Sequence, residues 1–151
     1  RVERYRYMEQ CVLIGRGYNC ATAFEIALKL KELTYVVAEP YSSASFRHGP
    51  IAIVEPGFPV LMVAPQGAVS SDLLALAGEL REREAELVMI SDQAEALALA
   101  QTPLALPEAV PEWLSPVAAV VPGQLFAAAL TRAKGYDLDR PRGLHKVTRT
   151  R

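Results

Sequence analysis

Four short stretches of this chain are apolar at almost every position. They are "CVLIG" (Cys11 to Gly15), "YVVAE" (Tyr35 to Glu39), "PVLMVAP" (Pro59 to Pro65) and "ELVMIS" (Glu86 to Ser91). A strand with one wet face alternates apolar and polar residues, and these runs do not. They fit strands covered on both faces, the condition of a parallel sheet. "TPLALP" (Thr102 to Pro107) reads as a fifth strand with a weaker pattern. Parallel strands must be joined by crossovers, so helices are expected between them.

Helical patterns do lie there. Thr22–Leu33 is one, and Ser71–Glu84 is another, with Ser70, Ser71 and Asp72 as cap and dipole partners at its start. Asp92 is placed to cap a short helix through Ala100. Pro50 suits the first position of a further helix over "PIAIVE". "WLSPVAAVVPGQLFAAALTRAKG" carries a long apolar helical pattern, which Pro116 and Pro122 start or kink and Gly135 stops. Strands alternating with helices give an α/β layer fold with right-handed crossovers. The chain of 151 residues is long enough for one domain with a sizeable core. Residues 1–10 read as an N-terminal linker, residues 11–135 as the α/β domain and residues 136–151 as a loose basic tail.

The formal net charge is −1, which gives no global field for nucleic acid or an anionic membrane. The longest apolar runs are broken by Pro, Gly or charge short of a membrane span. The charged opening "RVERYRYMEQ" is no signal peptide, and Cys11 and Cys20 make neither a disulfide framework nor a metal pattern. The expectation is a reduced, cytoplasmic domain without metal or other cofactor, and with no nucleic-acid or membrane partner. The opening arginine fits a piece of a longer chain.

Three stretches could carry chemistry. In "GRGYNCATAFEIALKLKE" (Gly15 to Glu32) a strand ends in Gly15-Arg16-Gly17 and a helix follows. Such a turn either exposes backbone N–H groups to an anion or serves as a tight turn alone. On the helix, Glu25, Lys29 and Glu32 recur at i, i+4 and i+7, which makes one charged stripe among apolar neighbours. It is a set of surface ion pairs, or a cleft lining in which a carboxylate beside an ammonium moves protons. In "SSASFRHGP" (Ser42 to Pro50), a polar and irregular stretch, His48 is a residue type suited to acid/base work and Arg47 could hold a phosphate. In the tail "RPRGLHKVTRTR", Lys146 is either a solvated cation or, with its pKa lowered by Arg140, Arg142 and Arg149, a nucleophile for a carbonyl.

In order and spacing, "GRGYNCATAFEIALKLKE", "AEPYSSASFRHGP" and "DRPRGLHKVT" resemble the second sugar-isomerase (SIS) domain of glucosamine-6-phosphate synthase and its deaminase and deglycase relatives. The resemblance implies a three-layer α/β sandwich with a mainly parallel, flavodoxin-like sheet. It implies a hexose 6-phosphate ligand (fructose 6-phosphate or glucosamine 6-phosphate). The implied chemistry is aldose–ketose isomerisation coupled to amination or deamination at C2. Glu32 matches the glutamate that shuttles a proton between C1 and C2. His48 matches the ring-opening histidine, contributed across a dimer interface. Lys146 matches the tail lysine that forms a Schiff base with the open-chain ketose. Glu25, Lys29, Arg47 and His145 fall at supporting, substrate-binding positions. The Ser/Thr-rich phosphate loop of the first SIS domain has no counterpart here, and "PQGAVSSD" is the nearest stretch. The resemblance therefore also implies a first SIS domain as partner, and a homodimer. The rival readings are a non-catalytic sugar-phosphate sensor and a simple phosphosugar isomerase.

Overall fold

The computed structural model describes residues 2–107 and 110–144. Among them, β1 (Gln10–Gly15), β2 (Val37–Ser42), β3 (Pro59–Val63), β4 (Glu86–Ser91) and β5 (Thr102–Ala105) form one sheet in the order β2-β1-β3-β4-β5. Every pairing is parallel. This is the flavodoxin-like order, in which the chain leaves β1 toward one edge and returns to the other side at β3. The helices are α1 (Asn19–Thr34), α2 (Ser43–Arg47), α3 (Ser70–Glu82), α4 (Ala94–Ala98) and α5 (Ser115–Ala133). Single 3₁₀ turns occupy Val2–Tyr5, Pro50–Ile53 and Glu112–Leu114.

Alternate residues of each central strand feed two separate cores. Cys11, Leu13, Leu61, Val63, Val88 and Ile90 face α1 and α5, where they meet Ile26, Leu30, Phe126 and Leu130. Val12, Ile14, Val60, Met62, Leu87 and Met89 face the other way, onto Phe46, Leu73, Leu76 and Leu80. Both faces of the central strands are dry, which is why those stretches carry no polar alternation. Burying a Leu or Ile side chain contributes about 1.5–3 kcal/mol, so the two cores dominate stability.

Several boundaries differ from the sequence expectation, each for a local reason. The second strand starts at Val37, because Tyr35 ends α1 in the left-handed region (φ 58°, ψ 20°). "SSASFRHGP" is not irregular: the Ser42 hydroxyl caps α2 by accepting the Ser45 N–H at 3.0 Å. "PIAIVE" forms one 3₁₀ turn, not a longer helix. Asp92 does not cap α4; its carboxylate accepts the Gln66 N–H at 2.7 Å, across the sheet end. Pro122 and Gly123 lie inside a continuous α5 and do not interrupt it, so that one helix has the length and apolarity of a membrane span. Gly123 has a packing reason, because a Cβ there would collide with Ile26 of α1. The segment expected as a linker is packed: Tyr5 is 3% exposed, meets Phe126 edge-on with ring centroids 5.4 Å apart, and its hydroxyl donates to Thr102 at 2.7 Å.

Both edge strands carry a proline, Pro40 in β2 and Pro103 in β5. The Val37 N–H bonds inward to Glu9 and the Leu106 N–H inward to Ser91. By alternation, the nitrogens of Pro40 and Pro103 therefore face away from the sheet.

Candidate functional site

Helix α1 begins at the carboxyl end of β1 because Gly15 lets it pass close: a Cβ on Gly15 would strike the Asn19 carbonyl. Gly17 takes φ +58°, and Asn19 and Cys20 donate back to Arg16 and Gly17. The Gly-Arg-Gly stretch thus satisfies a tight turn with its own backbone. Asn19 is tied down by Ser115, whose hydroxyl accepts the Asn19 amide N–H at 2.8 Å, and by Thr22, whose hydroxyl donates to the Asn19 amide oxygen at 3.0 Å.

Further along α1, Ala23, Ile26, Ala27 and Leu30 are buried against the sheet. The charged stripe falls on the outer side. Lys29 Nζ donates to Glu32 Oε2 at 2.7 Å and lies 3.8 Å from Glu25 Oε1. All three side chains are between a quarter and two-fifths exposed. The hydrogen bond to Glu32 lifts the Lys29 pKa above the ordinary lysine value; burial opposes it and the charges of Glu32 and Glu25 assist. The ammonium is therefore held charged, and it fixes the Glu32 carboxylate in one orientation. Beside the stripe, a shallow groove of about 600 Å³ runs between α1 and β2, lined by Phe24, Glu25, Leu28, Lys31 and Glu39.

His48 lies elsewhere. It is the exposed C-terminal cap of α2, just past the carboxyl end of β2, whereas Glu32 is in the last turn of α1, near the amino end of the same strand. A six-residue strand is about 20 Å long, so one copy of the chain does not bring Glu32 and His48 together. Arg47 is also not free for a phosphate. Its guanidinium donates to Asp72 Oδ1 at 2.8 Å and to Glu79 Oε1 at 3.1 Å. His145 and Lys146 lie outside the described residues.

Asp72 is the centre of a second charged cluster. It accepts Arg16 at 2.8 Å, Arg47 at 2.8 Å and the hydroxyl of the buried Ser43. Burial acts to raise its pKa, but the Ser43 and Arg16 hydrogen bonds and the Arg47 charge outweigh it and hold the carboxyl below the usual range. The cluster joins the β1–α1 turn, α2 and α3, and so sets the attitude of the short helix that ends in His48.

In an open α/β sheet, ligands enter where the strand order reverses, here between β1 and β3. That crevice is closed, with only about 10 Å³ between Arg16, Asn19, Gln66, Val69 and Glu112. The Glu112 carboxylate accepts the Ala68 N–H at 3.0 Å, and a Cβ on Gly67 would strike the same side chain. A carboxylate of the chain itself thus sits where an anion would. Among the described residues, no three His, Cys, Asp or Glu gather to hold a metal ion, and the Cys11 thiol is pushed up to about 12 by burial, with the Glu39 charge adding to it.

Residues 6–131 match the SIS domain family. The chain belongs to that family. It is 42% identical over 137 residues to the glutamine–fructose-6-phosphate aminotransferase [isomerizing] of Thermosynechococcus vestitus, covering 89% of this chain but 22% of the relative. Among solved structures, the C-terminal domain of glucosamine-fructose-6-phosphate aminotransferase from Francisella tularensis superposes with TM-score 0.84 at 31% identity, over 92% of this chain and 40% of that one. Glucosamine-6-phosphate deaminase from Thermotoga maritima shares the fold, with TM-score 0.73 at 23% identity over 96% of this chain and 44% of that one. The SIS domain described here thus spans less than a quarter of the length of the curated relative.

Two parts of this SIS domain were not legible as site features in its sequence. Asp72 read as helix-start acid, and nothing local signals that it gathers two arginines from elsewhere in the chain. Glu112 opens a single 3₁₀ turn, too short to show a helical period, and its contact with the Gly67 loop spans 44 positions.

Proposed function

We propose that this SIS domain is one half of a hexose 6-phosphate isomerase module, in which isomerisation between C1 and C2 is coupled to amination or deamination at C2. The observation that carries the reading is the Lys29–Glu32 pair at 2.7 Å on the outer side of α1. A charged carboxylate held in place and partly open to solvent is suited to take a proton from C1 and return it to C2. In this reading, the Lys146 amine adds to the C2 carbonyl of the open-chain ketose and expels water, leaving an imine. The imine is a better electron sink than the carbonyl, so loss of the C1 proton becomes easier. Before that proton moves, a nitrogen donor adds to the imine carbon and expels the lysine amine, so that the donor nitrogen is left as the imine at C2 and the C1-to-C2 proton transfer gives the 2-amino sugar. His48 passes protons at the ring oxygen and the anomeric hydroxyl.

The separation of His48 from Glu32 supports a site completed by a second copy. The outer face of α5 supports a further partner. Val117, Val121 and Leu125 recur every four residues there, Trp113 of the preceding 3₁₀ turn continues the row, and each is at least half exposed. An exposed apolar row of this kind marks a contact surface, and a first SIS domain, with its phosphate loop, fits the role. The closed crevice at Glu112 is consistent with a phosphate grip supplied from outside this domain.

The test is reductive trapping in the complete parent enzyme. Borohydride with fructose 6-phosphate should reduce the imine and leave a stable adduct on Lys146. An adduct that persists in Lys146→Ala, or none in the unaltered enzyme, removes the Schiff-base role. A sugar-phosphate sensor would bind the ligand but would not exchange its C1 proton with solvent deuterium.

A further inference from the structure

Helix α2 has five residues, too few to hold a helical shape alone. Three of them are anchored. Phe46 is fully buried and lies against Tyr41 with ring centroids 5.5 Å apart. The Ser43 hydroxyl reaches Asp72. Arg47 turns all three guanidinium nitrogens onto α3. Its Nη1 donates to Asp72 Oδ1 at 2.8 Å, and its Nη2 to the Asp72 carbonyl at 3.3 Å and to Glu79 Oε1 at 3.1 Å. Its Nε donates to the same Glu79 oxygen at 3.2 Å.

Asp72 and Glu79 stand about two turns apart on one face of α3, about 10 Å along its axis. The planar fork is gripped at two separated points, which stops α2 from turning about the Phe46 anchor. A lysine, as a point charge on a flexible stem, makes no such grip. The next residue is His48. Its side chain is exposed, and its N–H bonds back to Ser45 at 3.3 Å. The residue after it adds no packing: Gly49 takes φ +139°, and a Cβ there would meet nothing within 4 Å. The nearest firm hold on His48 is therefore Arg47. Glu79 does little else. Its side chain is 46% exposed, and an ion pair that open contributes little to folding.

We propose that the grip of Asp72 and Glu79 on Arg47 aims His48, so that Arg47 and Glu79 are positioning residues for ring opening. In that step a proton leaves the anomeric hydroxyl and a proton reaches the ring oxygen as its bond to the anomeric carbon breaks, and no other reactant is consumed. Neither Arg47 nor Glu79 touches the sugar. The inference rests on the proposed role of His48.

The test compares two substrates in the complete parent enzyme. Fructose 6-phosphate must be opened, whereas 5-deoxyfructose 6-phosphate lacks the hydroxyl that closes the ring and is open from the start. Exchange of the C1 hydrogen with solvent deuterium is read for both. Glu79→Ala and Arg47→Lys should lower kcat for fructose 6-phosphate about tenfold, with KM unchanged, and leave the acyclic analogue at the unaltered rate. Glu79→Gln keeps an acceptor oxygen and should retain most of the rate. In this chain, NMR relaxation should show the His48 backbone order parameter falling from about 0.85 to below about 0.6 in Glu79→Ala. Equal losses on the two substrates overturn the proposal, as does unchanged order at His48. A raised KM for both substrates in Arg47→Lys also overturns it and returns Arg47 to phosphate binding. His48→Asn separates this inference from the reading beneath it, and should lower fructose 6-phosphate turnover by roughly 10²-fold or more. Full activity in His48→Asn sinks the ring-opening role together with the positioning built on it. An impaired His48→Asn beside a fully active Glu79→Ala sinks the positioning alone.

Discussion

The molecule holds two charged clusters of opposite design. On α1 a single cation, Lys29, stands between two carboxylates, and all three belong to one helix. At the carboxyl end of the sheet Asp72 stands between Arg16 and Arg47, which arrive from the β1–α1 turn and from α2, and Arg47 also reaches Glu79 of α3. The first joins nothing that the helix does not already join. Ion pairs of that spacing stabilise a helix by a few tenths of a kcal/mol each, so stability gives little reason for the stripe. The second ties three elements over 25 to 56 positions of sequence and includes a fully buried serine. Under the proposed function the first cluster serves the substrate, and the second ties the architecture.

Breaking each cluster should give opposite phenotypes. The largest effect is expected from Glu32→Gln in the complete enzyme. Loss of a positioned general base should lower kcat by roughly 10²- to 10⁴-fold, read by product formation and by deuterium exchange at C1. A loss of only a few-fold would place Glu32 among ordinary surface ion pairs. Next comes Asp72→Ala, which removes the acceptor shared by Arg16, Arg47 and Ser43 and leaves Arg47 paired with Glu79 alone. It should cost about 1–2 kcal/mol of folding free energy, allowing for the third of the side chain that is exposed. Urea unfolding of this chain measures it, and an unchanged midpoint would deny Asp72 its architectural role.

Acid titration sharpens the same contrast. The folded-state pKa of Asp72 is depressed, so its contribution is present above the ordinary aspartate value of about 3.9 and is lost as pH falls through the lower, folded value. Urea midpoints from pH 5 downward should therefore fall less steeply in Asp72→Asn than in the unaltered chain. The smallest effect is expected from Lys29→Met, a change of a few tenths of a kcal/mol in stability. If Lys29→Met unfolds the domain as readily as Asp72→Ala, the division between the two clusters fails.

The difference between the clusters also explains what could be read from the sequence. The α1 stripe was legible because its members are four and three residues apart, and helical period alone aligns them. The strands were legible because two dry faces leave no polar positions. Tyr35 was not: it read as the first residue of a strand, and only the fold shows it as a left-handed helix end. The run from Ser43 to Arg47 read as irregular because five residues are too few to show a helical period, and its cap bond depends on the Ser42 rotamer. The contacts of Asp72 and Glu112 depend on tertiary neighbours that no local pattern encodes.

The prolines of the two outermost strands bear on how the domain can assemble. At Pro40 and at Pro103 the outward row of backbone donors has a gap. A strand from another molecule docking on either side would find a missing hydrogen bond in mid-length. This disfavours end-to-end growth of the sheet and the fibrous aggregation that follows from it. Association is thereby directed to side-chain surfaces, where shape and charge choose the partner, and away from main-chain pairing, which accepts almost any sequence.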